Sequence, residues 1–311
     1  MPESIREVYG KTLAEIGDSD ENVVVFDADL SGSTKTAFFR KAHPERFFNM
    51  GIAEANMVAT AAGMSTCGKV PFVNTFTVFL TTLGLLSARD QICYANLNVK
   101  FGGAYCGMSD ALDGTTHHAT EDIAFMRALP NMKVIVPSDA ASARWATKYA
   151  AATYGPMYLR LSREVYPDLY DENMEFKLGR GSIVRDGKDV TVIACGIMVH
   201  KALEAAEILA KRRISVRVVD MYSIKPIDTE LIERCARETG AIVCAEEHNI
   251  HGGLGSAVSE VLAYLGSGVP TEFVGVQDVF TETGPYNELL KKFGLDVDGV
   301  ISGIEKVLER K

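Results

Sequence analysis

The sequence predicts an α/β protein built as two doubly wound domains. Short apolar runs, such as Asn22-Val23-Val24-Val25-Phe26 and Val190-Thr191-Val192-Ile193-Ala194, alternate with longer stretches in which apolar residues return every three or four positions. Runs that are apolar throughout, rather than at every second residue, belong to parallel sheets covered on both faces. The alternation lapses once, between about Glu164 and Lys188, into Tyr, Pro, Asp, Asn and Gly, and then resumes. We therefore expect a first domain over residues 1–170 with a mostly parallel sheet, a linker over 171–188 and a smaller α/β domain over 189–311. A chain of 311 residues is long enough for both.

Taken in order, Ile5, Val8, Leu13 and Ile16 predict a helix over 3–16. The strand at 22–26 ends in Asp27-Ala28-Asp29-Leu30-Ser31-Gly32-Ser33, at the carboxyl end where ligands gather in open parallel sheets. Asp and Ser are equally suited to capping a helix there. A helix over 52–66, a strand at 70–74 and an apolar helix entered at Thr75 and running to about Tyr94 come next. Asn98 to Gly103 reads as a strand that leads into a long polar stretch from Met108 to Asp122, and loops of that length in compact domains are usually functional. The adjacent His117 and His118 lack the i, i+4 spacing that puts two metal ligands on one helix face, so no residue is assigned to a metal. A strand at 133–136, a helix over 139–152 and a strand at 156–163 complete the first unit. The second has strands at 190–194, 216–219, 241–244 and 272–276, with helices near 199–212, 229–239 and 257–265. His251-Gly252-Gly253-Leu254-Gly255-Ser256 reads as a tight packing turn, having neither the G-x-G-x-x-G spacing nor a P-loop lysine.

Composition excludes several classes of function. A net charge of −9 without a dense basic cluster argues against a nucleic-acid partner. No segment approaches 18 consecutive apolar residues, and Met1-Pro2-Glu3-Ser4 lacks the features of a signal peptide, so a cytoplasmic protein without a membrane partner is expected. The six cysteines form no C-x-x-C pair and sit mostly in apolar runs, as reduced buried thiols do.

Glu54 stands out. Gly51-Ile52-Ala53-Glu54 runs a glycine turn directly into a helical pattern in which Glu54 shares a face with Met57, Val58 and Ala61. An acid on such a face is a candidate proton carrier. It is equally a first-turn acid favoured by the helix dipole, worth about 0.3–1 kcal/mol. Spacing alone leaves both open.

The order of the motifs adds what spacing does not. An Asp-rich strand end, G-I-x-E opening a helix, T-F-x-x-F at 75–79, D-G-x-T-H at 113–117 and S-R at 162–163 follow one another. In that order they resemble the carboxyl-terminal half of transketolase over nearly the whole chain. The second unit is included, through Met221-Tyr222-Ser223-Ile224-Lys225-Pro226-Ile227-Asp228 and Glu246-Glu247-His248-Asn249. The resemblance implies a thiamine-pyrimidine-binding domain followed by a transketolase C-terminal domain. The family's amino-terminal domain carries a G-D-G…N motif for diphosphate and metal, whereas Asp113-Gly114, Asp186-Gly187 and Asp298-Gly299 here are not preceded by glycine. The chain thus resembles the small subunit of a split transketolase.

By position, the resemblance implies that Glu54 hydrogen-bonds the N1′ nitrogen of the thiamine aminopyrimidine, with Ile52, Asp29 and Leu30 also at the cofactor and Phe76 and Phe79 packing the pyrimidine ring. Where many transketolases place a third aromatic, this chain has Thr82. Asp113 and His117 match the residues at the sugar hydroxyls and the carbonyl oxygen, His117 being counted with Glu54 as catalytic. Arg163, Arg6 and Ser33 match the phosphate-binding positions of the acceptor. Tyr105 replaces a phosphate-contacting histidine, Leu112 a glutamate, and His118-Ala119 the common Gln-Pro.

The implied function is that of a subunit of a thiamine-diphosphate-dependent transketolase, a transferase of carbohydrate metabolism of the pentose phosphate type. It moves a two-carbon ketol unit from a ketose or ketose phosphate to an aldose or aldose phosphate. Activity is expected only with an amino-terminal transketolase subunit that holds the diphosphate and Mg²⁺ or Ca²⁺, in an α2β2 heterotetramer with a homodimeric core. Three alternatives remain at this stage: a variant acting on a sulfonated or branched sugar, the β subunit of a 2-oxoacid dehydrogenase, and a non-catalytic ligand-binding or interaction subunit.

Overall fold

The computed structural model describes residues 3–171 and 173–311. β1 (Val23–Asp27), β2 (Phe47–Asn49), β3 (Val70–Phe76), β4 (Lys100–Ala104), β5 (Lys133–Ile135) and β6 (Met157–Leu161) pair in parallel throughout. Every residue of β1, β3, β4 and β6 is buried, which is why apolar residues on these strands do not alternate with polar ones. β7 (Ser182–Arg185), β8 (Val190–Ala194), β9 (Val216–Asp220), β11 (Ile242–Asn249) and β12 (Thr271–Val276) form a second sheet in the order β12-β11-β8-β9-β7. β10 (Ser223–Lys225) leaves that unit and pairs antiparallel with β5, giving the first sheet the order β10-β5-β6-β4-β3-β1-β2.

That order positions the site. From β1 the chain first adds β2 on one side and then crosses to add β3 on the other, so the loops that follow β1 and β3 part from each other at their carboxyl ends. A crevice opens at such a switch point. Phe76, Ala104 and Leu161 lie side by side in register at this end of the sheet.

The expected helices at 3–16, 52–66, 139–152, 199–212 and 229–239 are present as Ile5–Ser19, Glu54–Thr66, Ala140–Ala152, Ile197–Lys211 and Thr229–Thr239. Asp139 fixes one start, its carboxylate accepting from Ser142 N at 2.8 Å and, through its other oxygen, from Leu169 N and Tyr170 N.

Three expectations need correction. The single helix expected from Thr75 to Tyr94 is broken into Thr77–Thr82, Leu85–Ser87 and a π-helical turn at Ala88–Cys93. Phe76 belongs to β3 instead, and a Cβ at Gly84 would stand 2.6 Å from Leu80 O and 3.0 Å from Val58 Cγ2, so two close-packed helices meet there. The stretch 171–188, read as linker, contains β7, an antiparallel edge strand whose four residues are all only half-buried and so leave no apolar run. β10 was not expected at all, because its pairing partner lies in the other unit. The glycine turn before helix Leu254–Tyr264 is a packing turn: at Gly252 (φ 81°) a Cβ would meet Ala124 Cβ at 2.5 Å. Among the described residues no helix is long and apolar enough to cross a membrane.

The two units share their cores, Val134 and Val136 lying in one apolar cluster with Ile193, Val219, Met221 and Ile224. Polar ties cross the same boundary. Arg160 is buried on β6 and grips both oxygens of the buried Asp122, at 2.7 and 3.0 Å, while also donating to Ala119 O and, at 2.8 Å, to Glu247 O on β11. Removing one member of such a pair strands a buried charge. Arg160→Leu is expected to cost about 3–5 kcal/mol, read as a lower urea midpoint of the purified chain. The double variant Arg160→Leu/Asp122→Asn should recover part of that loss.

Candidate active site

The loop after β1 is organised by a carboxylate. Asp27 is buried and accepts from Leu30 N at 2.6 Å, Thr34 Oγ1 at 2.7 Å and Thr36 Oγ1 at 2.8 Å. Asp29 takes a positive φ of 64° there, and its carboxylate receives Asn49 Nδ2 at 2.8 Å. Asn49 Oδ1 in turn accepts from Asp29 N and Gly51 N, both at 3.1 Å. One side chain therefore staples the loop after β1 to the glycine turn (Gly51, φ 69°) that starts helix Glu54–Thr66. Glu54 is the first residue of that helix, 4% exposed, and its carboxylate accepts no hydrogen bond from any described residue. Ile52, expected at the cofactor, is 86% exposed on this chain.

Opposite, Phe76, Ala104 and Tyr105 form an apolar cluster against which the half-buried Leu30 and Phe79 pack. The Phe76 and Phe79 rings are stacked at 6.1 Å, and His117 meets them edge-on at 6.2 and 5.3 Å. Thr82 turns its hydroxyl to Val78 O in its own helix, whereas Tyr105 places its ring 4.4 Å from Phe76. The aromatic wall is thus completed from β4 and not from the position of Thr82.

The polar end of the crevice adjoins Tyr105, which has a φ of 60°. Arg6 Cζ lies 4.9 Å and Arg163 Cζ 5.3 Å from its ring centre. Arg6 Nη1 donates to Tyr105 Oη at 2.7 Å and to Ser33 O at 2.8 Å, so Ser33 contributes its carbonyl. Arg163 Nη1 donates to Asp110 Oδ1 at 3.3 Å. Burial, and then the neighbouring Asp113 carboxylate, push the Asp110 carboxyl up to about 6. Asp113 itself is exposed in the loop. His118, next to His117, is buried and bonded through Nδ1 to Thr281 Oγ1 of the second unit at 2.6 Å, and burial lowers its proton affinity. Among the described residues no three His, Cys, Asp or Glu side chains gather as a metal site.

This geometry coincides with a match to known proteins. Residues 2–168 match the model of the transketolase pyrimidine-binding domain, and residues 179–300 that of the transketolase C-terminal domain. The chain belongs to the transketolase family. A protein of Methanocaldococcus jannaschii named as a transketolase C-terminal section is 42% identical over 309 residues, covering 99% of this chain and 97% of that one. The 6-deoxy-6-sulfo-D-fructose transketolase subunit of Clostridium sp. (strain MSTE9) is 40% identical over 307 residues, covering 99% and 95%. A solved split-gene transketolase, described as an inactive β4 tetramer, matches with a TM-score of 0.90 and 49% identity over 99% of each chain.

Within this transketolase chain the structure brings Leu30, Phe76, Phe79, His117, Arg6, Ser33 and Arg163 around Tyr105, and sets Glu54 at the same end of the sheet. Sequence reasoning passed over Asn49 and Asp110. An Asn two residues before a glycine is an Asx-turn signal, and Asp110 stands three residues before Asp113, where two acids in one loop must share space.

The motif Glu246-Glu247-His248-Asn249 proves to be a joint between units. Glu246 accepts from Leu254 N and Gly255 N at the start of a helix, and Glu247 accepts from Met108 N at 2.7 Å in the site loop. Burial pushes Glu247 up to about 7, and burial also pushes Asp220, bonded to Ser138 and Tyr170, up to about 7. Glu247, Asp220 and Asp110 have folded values above the unfolded ones. Their contribution to stability is full at low pH and is lost as pH rises from about 4 to about 7. Asp122 acts elsewhere: burial opposes ionisation, but Arg160 outweighs it and holds the carboxyl below its ordinary range. The melting temperature of the chain is therefore expected to fall between pH 5 and pH 8, with a shallower fall in Glu247→Gln; equal slopes for the two proteins would contradict this.

Proposed function

We propose that this chain is the pyrimidine-site subunit of a two-subunit, thiamine-diphosphate-dependent transketolase that moves a two-carbon ketol unit from a ketose to an aldose. The observation that carries the reading is Glu54, 4% exposed at the first residue of its helix and with a carboxylate engaged by no described residue, set at the same end of the sheet as the aromatic wall of Phe76, Phe79 and Tyr105. The residues present fit the aminopyrimidine half of the cofactor: an acid for a ring nitrogen and flat apolar faces for the ring. Bound thiamine diphosphate supplies the electron sink for the ketol fragment.

Glu54 holds a proton at N1′ of the aminopyrimidine and takes it back. Phe76 and Phe79, with Leu30, exclude water from the ring. His117, edge-on to both phenylalanines and with Nδ1 bonded to Thr116 Oγ1, leaves Nε2 for the oxygen of the reacting carbonyl, with Asp113 at the sugar hydroxyls. Arg6, Ser33 and Arg163 surround Tyr105 at the far end of the sugar. The diphosphate and its Mg²⁺ belong to an amino-terminal partner subunit in this reading, in an α2β2 assembly. The relative solved as an inactive β4 tetramer supports it. In this division residues 1–170 carry the site, and 189–311 hold its loop through Glu247 and Thr281.

The purified chain alone is expected to show no ketol transfer, and activity should appear on adding the partner with thiamine diphosphate and Mg²⁺. In that complex Glu54→Gln should lower kcat by about 10²–10⁴-fold with an unchanged melting curve. Turnover by the chain alone would reject the partner, and wild-type kcat in Glu54→Gln would reject the acid.

A further inference from the structure

The two guanidinium groups at the far end of the site are already engaged. Arg163 is paired with Asp110, whose side chain is 1% exposed against 40% for the arginine. Arg6 spends Nη1 on Ser33 O and Tyr105 Oη. Asp113 adds negative charge beside Asp110, and Glu164, next to Arg163 in the chain, lies within the field of both arginines. Two positive charges thus face three carboxylates, a poor field for a doubly charged anion.

The unfilled groups differ from what a phosphate would complete. Among the described residues, Arg6 Nε is a buried donor and Asp110 Oδ2 a buried acceptor, each without a partner. A sugar hydroxyl both donates and accepts, whereas a phosphate dianion only accepts. At Asp110 Oδ2 a phosphate oxygen would meet a second anion.

We propose that Asp110 is a specificity-determining residue that makes this site select sugars ending in a neutral polyol over sugars ending in a phosphate; the inference rests on the ketol-transfer reading above. Asp110 acts by holding the half-exposed Arg163 and by setting a negative charge behind it.

The test compares erythrose with erythrose 4-phosphate in the complete two-subunit enzyme, with hydroxypyruvate as a ketol donor that has no sugar tail. The wild type should use erythrose with a kcat/KM at least equal to that for the phosphate. Asp110→Asn should move the ratio about tenfold toward the phosphate, mainly through KM. Independently, calorimetric titration of the full chain with inorganic phosphate should show tighter binding in Asp110→Asn than in wild type, and the gain should vanish in Asp110→Asn/Arg163→Gln. A wild type that prefers the phosphate about tenfold, or an Asp110→Asn variant with neither change, overturns the proposal. An enzyme that uses neither aldose rejects the ketol-transfer reading instead, and the phosphate titration then decides whether Asp110 masks Arg163.

Discussion

Much of this structure depends on one buried guanidinium. Arg160 sits in the middle of a covered parallel strand, where an unpaired charge would be intolerable, and it survives there because Asp122 answers it with two nearly parallel hydrogen bonds. Its remaining donor reach is used on the carbonyls of Ala119 and Glu247. Those four groups come from β6, from the end of the site loop, from the helix that follows it and from the second sheet. The planar fork fixes their mutual directions, which a hydrophobic contact of the same area would not do. The loop from Tyr105 to Ala119 is therefore anchored at its far end before any ligand is present, and Gly107 and Ala119 pair across its base.

The same logic, a carboxylate surrounded by donors from distant segments, recurs where the site needs definition. Asp27 gathers the loop after β1, Glu246 caps a helix of the second unit, and Glu247 reaches across to Met108. Asp27 and Glu246 are satisfied on both oxygens, whereas Glu247 keeps Oε2 without a partner. Glu54 is the contrasting case: equally buried, it accepts nothing from the described residues. A carboxylate that no residue of the chain engages, at the mouth of a crevice, is open to a ligand that donates. Asp110 lies between the two cases, with one oxygen on Arg163 and the other unmet.

Legibility in the sequence followed burial. β1, β3 and β6 are covered on both faces and read as apolar runs, and the helix at Glu54–Thr66 lies two residues from its expected start. β7 and β10 did not read, because an edge strand needs no apolar run and a strand of three residues is defined by its partner alone. The break in the helix after Phe76 was hidden for a related reason: an apolar run is compatible with one long helix or several short ones, and the close approach of Val58 to Gly84 is a tertiary fact. At the site, Phe76, Phe79, Glu54 and His117 were legible through their motifs. Asn49 was overlooked because its function is to join two backbone turns.

The sequence by itself determined which chemical groups are available and in what order: an acid on an apolar helix face, two phenylalanines three residues apart, a histidine after a glycine turn, and arginines at both ends of the first unit. Local periodicity is a property of neighbours in the chain, so it can be read there. The tertiary structure decided which of these groups meet. Arg6 meets Tyr105 across 99 residues and Arg163 meets Asp110 across 53, and both meetings depend on β4 lying between β3 and β6. Charge, unlike helical spacing, acquires its meaning from what lies within a few ångströms in space. For that reason Arg6 and Arg163, matched in the sequence to phosphate-binding positions, have partners in the fold that their spacing does not announce.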